Sequence, residues 1–208
     1  MSEAGAGVLT GQRLKEAKHT IRVNHYSHSI PAGKSWYVRF MTTIIVWSIP
    51  ANKNLARFCT GSNFLKVWEL SRLWAPDGHA SNELTRAIAA ALKALRERES
   101  VDVVVSFADP NVGHLGGVYR AASWTYTGTS SETRTYEKDG ERFPRRSFHS
   151  GNQGMTKAQI EARGYREIKL PGKHRFVRGV SVRGRRAVRG KWERVLREVA
   201  RNAPGDDE

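Results

Sequence analysis

The fold is decided by the stretch Leu65–Asp109, which reads LKVWELSRLWAPDGHASNELTRAIAAALKALRERESVDVVVSFAD. Its first part, Leu65–Trp74, is rich in β-branched and aromatic residues and predicts a strand. After a Pro-Asp-Gly turn, apolar residues spaced three and four apart predict an amphipathic helix over Asn82–Arg98, capped by Ser81. The run Val101–Phe107 is almost continuously apolar, as in a strand covered on both faces. Strand, helix and strand in this order predict a parallel crossover.

The rest of the chain supplies strands and helices around this crossover. Upstream, segments rich in β-branched and aromatic residues predict strands at Trp36–Phe40 and Thr43–Ile49. Downstream we expect, in order, a short helix at Gly117–Trp124, a long polar loop at Glu132–Ser150, a helix capped by Thr156 and ended by Gly164, and strands at Tyr165–Leu170 and Arg175–Val182 that pair around Pro171-Gly172. The alternation of helices and strands favours an α/β or α+β fold with a mixed sheet.

The composition is that of a folded and strongly basic protein. Of 208 residues, 35 are Lys or Arg and 20 are Asp or Glu, a formal net charge of +15, and 39% are hydrophobic. The hydrophobic share excludes wholesale disorder, and the length fits one domain with an appendage. Because an excess of cations concentrates polyanions at the surface, nucleic acid is the first expected partner; a merely solvated basic surface is the alternative.

The expected location is the cytoplasm. No apolar run approaches the roughly 18 residues that a membrane helix needs, so no membrane partner is expected. Met1–Gln12 lacks the basic start and the apolar middle of a signal peptide. The single cysteine, Cys59, excludes an intrachain disulfide and a zinc finger.

The positive charge is concentrated in the segments Arg134–Arg146 and Lys169–Arg201. The second segment contains a terminal helix in which Val188 and Trp192 belong to an apolar stripe. Three arginines of this helix are expected to face outward and to contact nucleic-acid phosphates: Arg185, Arg186 and Arg189. The sequence thus divides into a main domain at 1–182 and a basic helix with an acidic tail at 183–208.

Two segments carry residue types suited to chemistry. His25 and Tyr26 are adjacent, and an imidazole beside a phenol can bind one metal or relay one proton; a loop histidine next to a packed tyrosine is the alternative. In the stretch Ser106–Gly128, Asp109 follows the apolar strand, and a His and a Gly pair then lead into a helix that carries Tyr119. Strand ends in α/β folds bind ligands, and glycines let a backbone approach an anion. A purely structural turn is the alternative here.

Other candidate binding residues lie outside these segments. Arg72 shares a strand face with tryptophans and is either a snorkelling surface residue or a guanidinium directed into a cleft. Candidates for phosphate contacts are Lys173, His174 and Arg175. The alternative is that they are surface residues of a hairpin with no binding role. Candidates for stacking on a nucleobase are Trp36, Tyr37, Trp124 and Tyr126. No Walker loop, HExxH, GxSxG or zinc-deaminase motif is present.

Taken together, His25-Tyr26-Ser27, the stretch Ser106–Gly128 and Lys173-His174-Arg175 resemble the Mom family of phage DNA-modification proteins. The resemblance extends over His25–Val177. It implies an acyltransferase-like fold related to the GNAT N-acetyltransferases, with a mixed sheet flanked by helices. It also implies an iron-dependent enzyme that converts adenine in double-stranded DNA to a methylcarbamoyl-type adenine, which resists restriction enzymes in the bacterial host.

The resemblance further implies roles for individual residues. Candidate metal ligands are His25, Tyr26 and Asp109, whose hard nitrogen and oxygen donors suit iron. Candidate catalytic residues are Asp109, Tyr119, His25, Arg72 and Ser106. Candidates for binding an acyl donor are Gly78, His79, Ala80, Ser81, Gly113 and His114.

The donor loop departs from the acyltransferase pattern of Gln or Arg, two residues, Gly, one residue, and Gly or Ala. Gly78 and Ala80 match the second half, but Ala75 takes the first position. Acetyl-coenzyme A and another acyl or glycyl donor therefore both stay open. The alternative functions are a non-catalytic basic DNA-binding protein and an N-acetyltransferase for a protein or small-molecule amine. A homodimer is a further expectation.

Overall fold

The computed structural model describes residues 6–144, Phe148 and residues 154–201. The strands are β1 (Gly7–Val8), β2 (Ser35–Phe40), β3 (Thr43–Ser48), β4 (Val67–Trp74), β5 (Val103–Ala108), β6 (Thr125–Thr129), β7 (Thr133–Lys138), β8 (Glu141–Pro144), β9 (Arg166–Leu170) and β10 (His174–Gly179). The helices are α1 (Gly11–Asn24), α2 (Leu55–Thr60), α3 (Glu83–Arg96), α4 (Gly117–Ala121), α5 (Lys157–Ala162) and α6 (Val182–Arg201), and a 3₁₀ turn covers Pro110–Val112. No helix in these residues is both long enough and apolar enough to cross a membrane.

A mixed sheet with the strand order β1-β2-β3-β4-β5-β10-β6 forms the centre of the molecule. Neighbouring strands are antiparallel except β4 and β5, which run parallel. Since α3 connects these two strands, the predicted parallel crossover is confirmed. The sheet is mostly antiparallel and flanked by helices, in agreement with a mixed α/β class.

Helices cover both faces of this sheet. On one face α3 packs against β2 and β3, and Ile88 and Leu95 are completely buried there. On the other face α2 and α6 contribute Cys59 and Trp192 to a cluster with the β5 side chains, while α1 covers β2 and β3. Val103 is inaccessible to solvent. The prediction that β5 is covered on both sides is therefore confirmed.

The start of α3 differs from the prediction. Ser81 does not cap the helix, because Asn82 is the N-cap residue, with φ +60°, and makes no side-chain cap hydrogen bond. Instead, the Glu83 carboxylate accepts hydrogen bonds from Thr42 and Thr43 and from the Ala80 N–H. The hydrogen bonds to its carboxylate, of which the one from Thr42 has the largest effect, lower the pKa of Glu83 to about 2, although burial raises it. An ionised carboxylate therefore fastens α3 to the β2–β3 turn.

An irregularity in β4 opens the sheet. Val46 and Trp47 of β3 are adjacent, yet they pair with Arg72 and Leu70 of β4, so Ser71 is the extra residue of a β-bulge. A bulge bends its strand and increases the local twist. Parallel pairing between β4 and β5 ends at Leu70 and Ser106, although β4 continues for four more residues.

The prediction of a loop over Glu132–Ser150 is wrong for the residues of this segment that the structure describes. β7 and β8 form a hairpin there, and β7 also pairs with β9 in a separate sheet of order β8-β7-β9. Asp139 and Gly140 both have positive φ, at 52° and 81°, as a two-residue type I′ turn requires. Phe148 packs with Tyr136 against Ile160 of α5, and this small core stabilises the hairpin. Residues 145–147 and 149–153 lie outside the described residues.

The predicted pairing of the strands on either side of Pro171-Gly172 is also wrong. β9 belongs to the small sheet, whereas β10 pairs with β5 and β6 in the main sheet. The small sheet is thus an insertion between β6 and β10. Its neck is closed by two hydrogen bonds between Ser130 and Lys173, and a Cβ on Gly172 would lie 1.8 Å from the Ser130 carbonyl oxygen.

Several elements carry no prediction because their sequence signals are short or polar. These are β1, α1, α2 and β6. In α6, Val188 and Trp192 are buried as the stripe predicted. The side chains of residues 194–201 and the acidic tail lie outside the described residues.

Candidate active site

A cleft of about 810 Å³ opens where β4 and β5 separate. One wall is the second half of β4 with the loop Ala75–His79. The other wall is the end of β5 with residues His114–Tyr119, and the end of α1 with the turn behind it closes one side. The cleft thus lies at the carboxyl ends of the two parallel strands, where α/β folds bind ligands.

Tyr119 lines the cleft and is hydrogen-bonded to the buried Ser106. The Ser106 hydroxyl donates to the Leu70 carbonyl at 2.8 Å, and its oxygen lies 2.8 Å from the Tyr119 hydroxyl. Because a hydroxyl has one proton, Tyr119 is the donor to Ser106. Burial raises the pKa of Tyr119 to about 12. Its phenol therefore keeps its proton at neutral pH.

His25, Tyr26 and His114 bring three rings together at the cleft. The rings of His25 and Tyr26 have centroids 4.4 Å apart, and the Tyr26 and His114 centroids lie 5.1 Å apart in an edge-on arrangement. The chain reversal after α1 presents the first two rings, and the loop after β5 presents the third. Burial raises the pKa of the Tyr26 phenol above its ordinary value.

The environment of His25 keeps its imidazole neutral. Burial lowers the pKa of His25 to about 4, and the charges of Arg72 and His114 add to the effect. Its Nδ1 lies 2.9 Å from the Ser27 hydroxyl oxygen and accepts from the Ser27 backbone N–H at 3.1 Å. Because Nδ1 accepts from the Ser27 N–H, the neutral ring carries its proton on Nε2. A metal binds Nε2 only in the other tautomer, in which the Nδ1–H donates to the Ser27 hydroxyl oxygen.

Asp109 lies beside this group of rings as an ionised carboxylate. Lys173 Nζ is 2.8 Å from its Oδ2, and Asn111 donates to its Oδ1 through both the backbone and the side chain. Burial opposes ionisation, but the Lys173 and Asn111 hydrogen bonds outweigh it and hold the pKa below its ordinary value. Lys173 also lies over the Tyr26 ring, 5.8 Å from its centroid. Lys173 therefore connects Asp109 to the rings of the cleft.

Arg72 anchors the turn that carries His25 and Tyr26. Its Nε and Nη2 donate to the carbonyl and hydroxyl oxygens of Ser29, both at 2.9 Å. Arg72 lines the cleft. Burial lowers the pKa of Arg72 from its ordinary value.

Glu69 is a residue near the cleft that carries no prediction from the sequence. It lies on β4, and burial raises its pKa against the opposing charges of Arg72 and Lys173. The sequence does mark Glu69, as a carboxylate within the apolar strand sequence VWELSRLW. The importance of this carboxylate becomes clear only when the neighbouring strand is known.

The candidate donor-binding residues separate into two groups. Gly78 and His79 line the cleft on one side, and His114 lines it on the other. The Ala80 N–H already donates to Glu83, and Ser81 is exposed at the start of α3. Gly113 has φ +79° and closes the 3₁₀ turn after Asp109.

The candidate DNA-binding residues lie at opposite ends of β10. Lys173 and His174 are at its start, beside Asp109, whereas Arg185, Arg186 and Arg189 follow its end. The helix α6 packs back against β10. The three arginines of α6 are exposed, as predicted.

Arg175 is directed into the protein instead. It is 7% exposed, donates to the hydroxyl and carbonyl oxygens of Thr127, and lies 3.9 Å from the centroid of the Phe58 ring. The structure therefore gives Arg175 packing contacts where the sequence predicted a phosphate contact.

The four aromatic candidates for base stacking occupy different environments. Tyr37 and Trp124 are 2% and 4% exposed and belong to the core. Trp36 donates to Glu99 at the far end of α3. Tyr126 is 37% exposed and contacts His174 near the cleft, so it alone among the four is available there.

The candidate iron ligands have suitable chemistry and lie in one region. Among the described residues, no three His, Cys, Asp and Glu side chains are grouped to hold a metal. A three-residue set at this place therefore needs the Tyr26 phenol beside His25 and Asp109. Nitrogen and oxygen donors of this kind fit iron.

Comparisons with known proteins cover the whole site. A model for the Mom protein family matches residues 11–194, which include every residue of the cleft. The chain is also 28% identical over 189 residues to "Methylcarbamoylase mom" of Escherichia phage Mu. That alignment covers 86% of this chain and 78% of the phage Mu protein.

The loop wall of the cleft predicts a difference between two glycines. Gly116 and Gly113 both have φ +79°, but a Cβ on Gly116 would lie 2.2 Å from the buried Phe176 ring, whereas a Cβ on Gly113 meets nothing within 4 Å. We expect Gly113→Ala to lower the free energy of unfolding by about 1–2 kcal/mol through backbone strain. Gly116→Ala adds overpacking and loses about 2–5 kcal/mol in all. Equal losses in urea melts would contradict the Gly116–Phe176 contact.

Proposed function

This chain belongs to the Mom protein family, and from that membership we propose that it is a DNA-modifying transferase. It adds a methylcarbamoyl-type group, derived from an acyl or glycyl donor, to the exocyclic amino group of adenine in double-stranded DNA. The proposed role is that of a phage protein acting in the bacterial cytoplasm, where the modified base resists restriction enzymes. The observation that carries the proposal is the convergence of His25, Tyr26, His114 and Tyr119 on one cleft beside the Asp109–Lys173 pair.

We propose that the fold is related to the GNAT acyltransferases. The support is a mixed sheet with one parallel pair, a crossover helix between its strands, and a bulge that separates them into a cleft. A cleft between separated strands offers backbone polar groups to a donor on one side and side chains to an acceptor on the other.

In this proposal, the residues of the cleft divide into positioning and proton-holding groups. Arg72 positions the His25–Tyr26 turn through Ser29, and Ser106 positions the Tyr119 phenol. Tyr119 holds a proton at Oη, since its pKa lies far above neutral pH. Asp109 is ionised, so one oxygen of its carboxylate can accept a proton from the amino group while the nitrogen bonds to the transferred group and the bond between that group and the rest of the donor breaks.

We propose iron as the cofactor, held by His25 through Nε2, by the Tyr26 phenol oxygen and by the Asp109 carboxylate. An iron ion bound there supplies a Lewis acid and a redox centre. Asp109 would have to exchange its contact with Lys173 for the metal. Metal binding at Nε2 would require the His25 ring proton to be on Nδ1 and to donate to the Ser27 hydroxyl oxygen, as histidine ligands donate from their other ring nitrogen.

The donor is proposed to enter along the Ala75–His79 side of the cleft. Gly78 and His79 are in the wall there. Because Ala75 offers neither an amide nor a guanidinium side chain and the Ala80 N–H is used by Glu83, acetyl-coenzyme A and another acyl or glycyl donor both remain candidates.

DNA is proposed to contact two basic regions. Near the cleft, Lys173 and His174 border the reacting groups, whereas Arg185, Arg186 and Arg189 are exposed on α6, which follows the other end of β10. Contacts of this kind to phosphates position a protein on DNA without reading sequence.

Two other functions remain as alternatives: a non-catalytic basic DNA-binding protein and an N-acetyltransferase for a protein or small-molecule amine. The buried proton-holding groups of the cleft favour an enzyme over a binding scaffold. Nucleoside mass spectrometry of cellular DNA separates the proposed transferase from both alternatives, because only the transferase leaves a modified adenine in DNA.

Replacement of Asp109 tests the proposed chemistry. We expect Asp109→Asn, which keeps the side-chain shape but removes the charge, to lower the amount of modified adenine by about 10²–10⁴-fold. Glu97→Ala, an exposed change at the end of α3, should leave it unchanged. The measurement is nucleoside mass spectrometry of DNA from cells that express each variant, with duplex binding by fluorescence anisotropy as the control. Unchanged modification in Asp109→Asn would exclude a catalytic role for Asp109.

Iron content tests the proposed ligands. We expect the wild-type protein, purified anaerobically, to contain iron by elemental analysis. His25→Ala should lose most of it, whereas His28→Ala, a change on the neighbouring exposed turn, should retain it. Equal iron content in both variants would show that His25 is not a ligand. Modification of DNA by wild-type protein that contains no iron would exclude iron as the cofactor.

A further inference from the structure

The loop that follows Asp109 exposes two apolar side chains at the cleft. Val112 is 44% exposed and Leu115 is 61% exposed. Leu115 lies in the cleft wall between His114 and Gly116. An exposed leucine is common on a protein surface, but this one lies beside the residues proposed to carry out the reaction.

The loop holds these side chains in a fixed position. Asn111 donates to Asp109 and to the Pro171 carbonyl, so the loop is joined both to β5 and to the neck of the inserted sheet. The His114 N–H donates to the Asp109 carbonyl. At the other end, Arg120 donates to the Leu115 carbonyl at 3.1 Å. A loop with these bonds cannot fold Leu115 away without losing several of them.

Arg120, which donates to the Leu115 carbonyl, belongs to a group of cationic and aromatic side chains. Arg120 is exposed and lies 5.5 Å from the centroid of the Tyr126 ring, and Tyr126 in turn contacts His174. Lys173 lies behind the loop, on Asp109. An apolar tip beside an exposed arginine matches the surface of duplex DNA, where charged phosphates border a stack of bases.

The proposed substrate explains what such a tip does. The amino group of adenine is paired within the duplex, so an enzyme that modifies it must take the base out of the stack. Minor-groove and base-extruding proteins insert apolar side chains between base pairs to offset the loss of stacking. A leucine beside the receiving cleft is in the position to occupy the vacated space.

We propose that Leu115 is a wedge that enters the base stack when the target adenine moves into the cleft. This inference rests on the proposed function, since it assigns how that same site obtains its base. Leu115 is a positioning residue: it contacts the neighbouring bases and takes no part in the transfer. Val112 borders the same tip.

The first test measures base extrusion without requiring the reaction. The probe is a duplex with 2-aminopurine in place of adenine, whose fluorescence rises when the base leaves the stack. We expect wild-type protein and Leu115→Met to raise the fluorescence. Leu115→Ala should bind the duplex as wild type does, measured by anisotropy. It should raise the 2-aminopurine fluorescence much less. Val182→Ala, an equally exposed apolar change at the start of α6, should behave as wild type. A full fluorescence rise with Leu115→Ala would overturn the proposal.

The second test separates a wedge from a general loss of structure. We expect Leu115→Ala to lower modification of a matched duplex by about tenfold or more, because unstacking costs a few kcal/mol. On duplexes whose adenines face mismatched bases, which extrude easily, the loss should largely disappear. Equal losses on both substrates would overturn the wedge. If wild type modifies neither substrate but its fluorescence rise still depends on Leu115, the wedge stands and the proposed transferase function fails.

Discussion

The bulge at Ser71 is the constraint on which the site depends. Because β4 contains one residue more than β3 can pair, its second half turns away from β5, and parallel pairing stops at Leu70 and Ser106. The Ser106 hydroxyl donates to the Leu70 carbonyl at this point, and the same oxygen fixes the Tyr119 phenol. The end of parallel pairing thus coincides with the cleft and with the Ser106–Tyr119 hydrogen bond.

The candidate reactive groups come from distant parts of the chain and are held by an ion pair. Asp109 follows β5, and Lys173 is the last residue of the inserted sheet's neck, yet their charged atoms are 2.8 Å apart. The neck is closed by Ser130 against Lys173 and by Gly172, which has no room for a side chain. The insertion is therefore tied to the same carboxylate that we propose for the chemistry, and movement of the insertion would alter the environment of Asp109.

The sequence predicts the crossover well because local periodicity determines it. The stripe of α3 and the apolar run of β5 are each set by residues a few positions apart. The β7–β8 hairpin was missed although its Asp139-Gly140 turn is a known signal, because its strands are polar and depend on Phe148 and Ile160 for a core. The cap of α3 was missed because its carboxylate binds Thr42, forty-one residues away.

The candidate site could be predicted only as a set of residue types. His25, Tyr26, Arg72 and Tyr119 all line or border the cleft, but no spacing in the sequence indicates that Lys173 pairs with Asp109. Arg175 shows that a sequence pattern can also predict a contact that the fold does not allow. Its place in a basic tripeptide predicts exposure, while the alternation of β10 turns it inward onto Phe58. Which face a strand residue takes depends on the pairing of its strand, and that pairing is not local.

The central claim is tested most directly by a substitution that fills the cleft. Gly117 lies in its wall, and a Cβ there meets nothing within 4 Å, so Gly117→Phe can be accommodated by occupying the cleft. Gly7→Phe on β1, where a Cβ also meets nothing within 4 Å, is the matched control. Nucleoside mass spectrometry of DNA from expressing cells should find the modified adenine with Gly7→Phe and not with Gly117→Phe, while both proteins melt as wild type. Modification by Gly117→Phe at the wild-type level would contradict a reaction in the β4–β5 cleft.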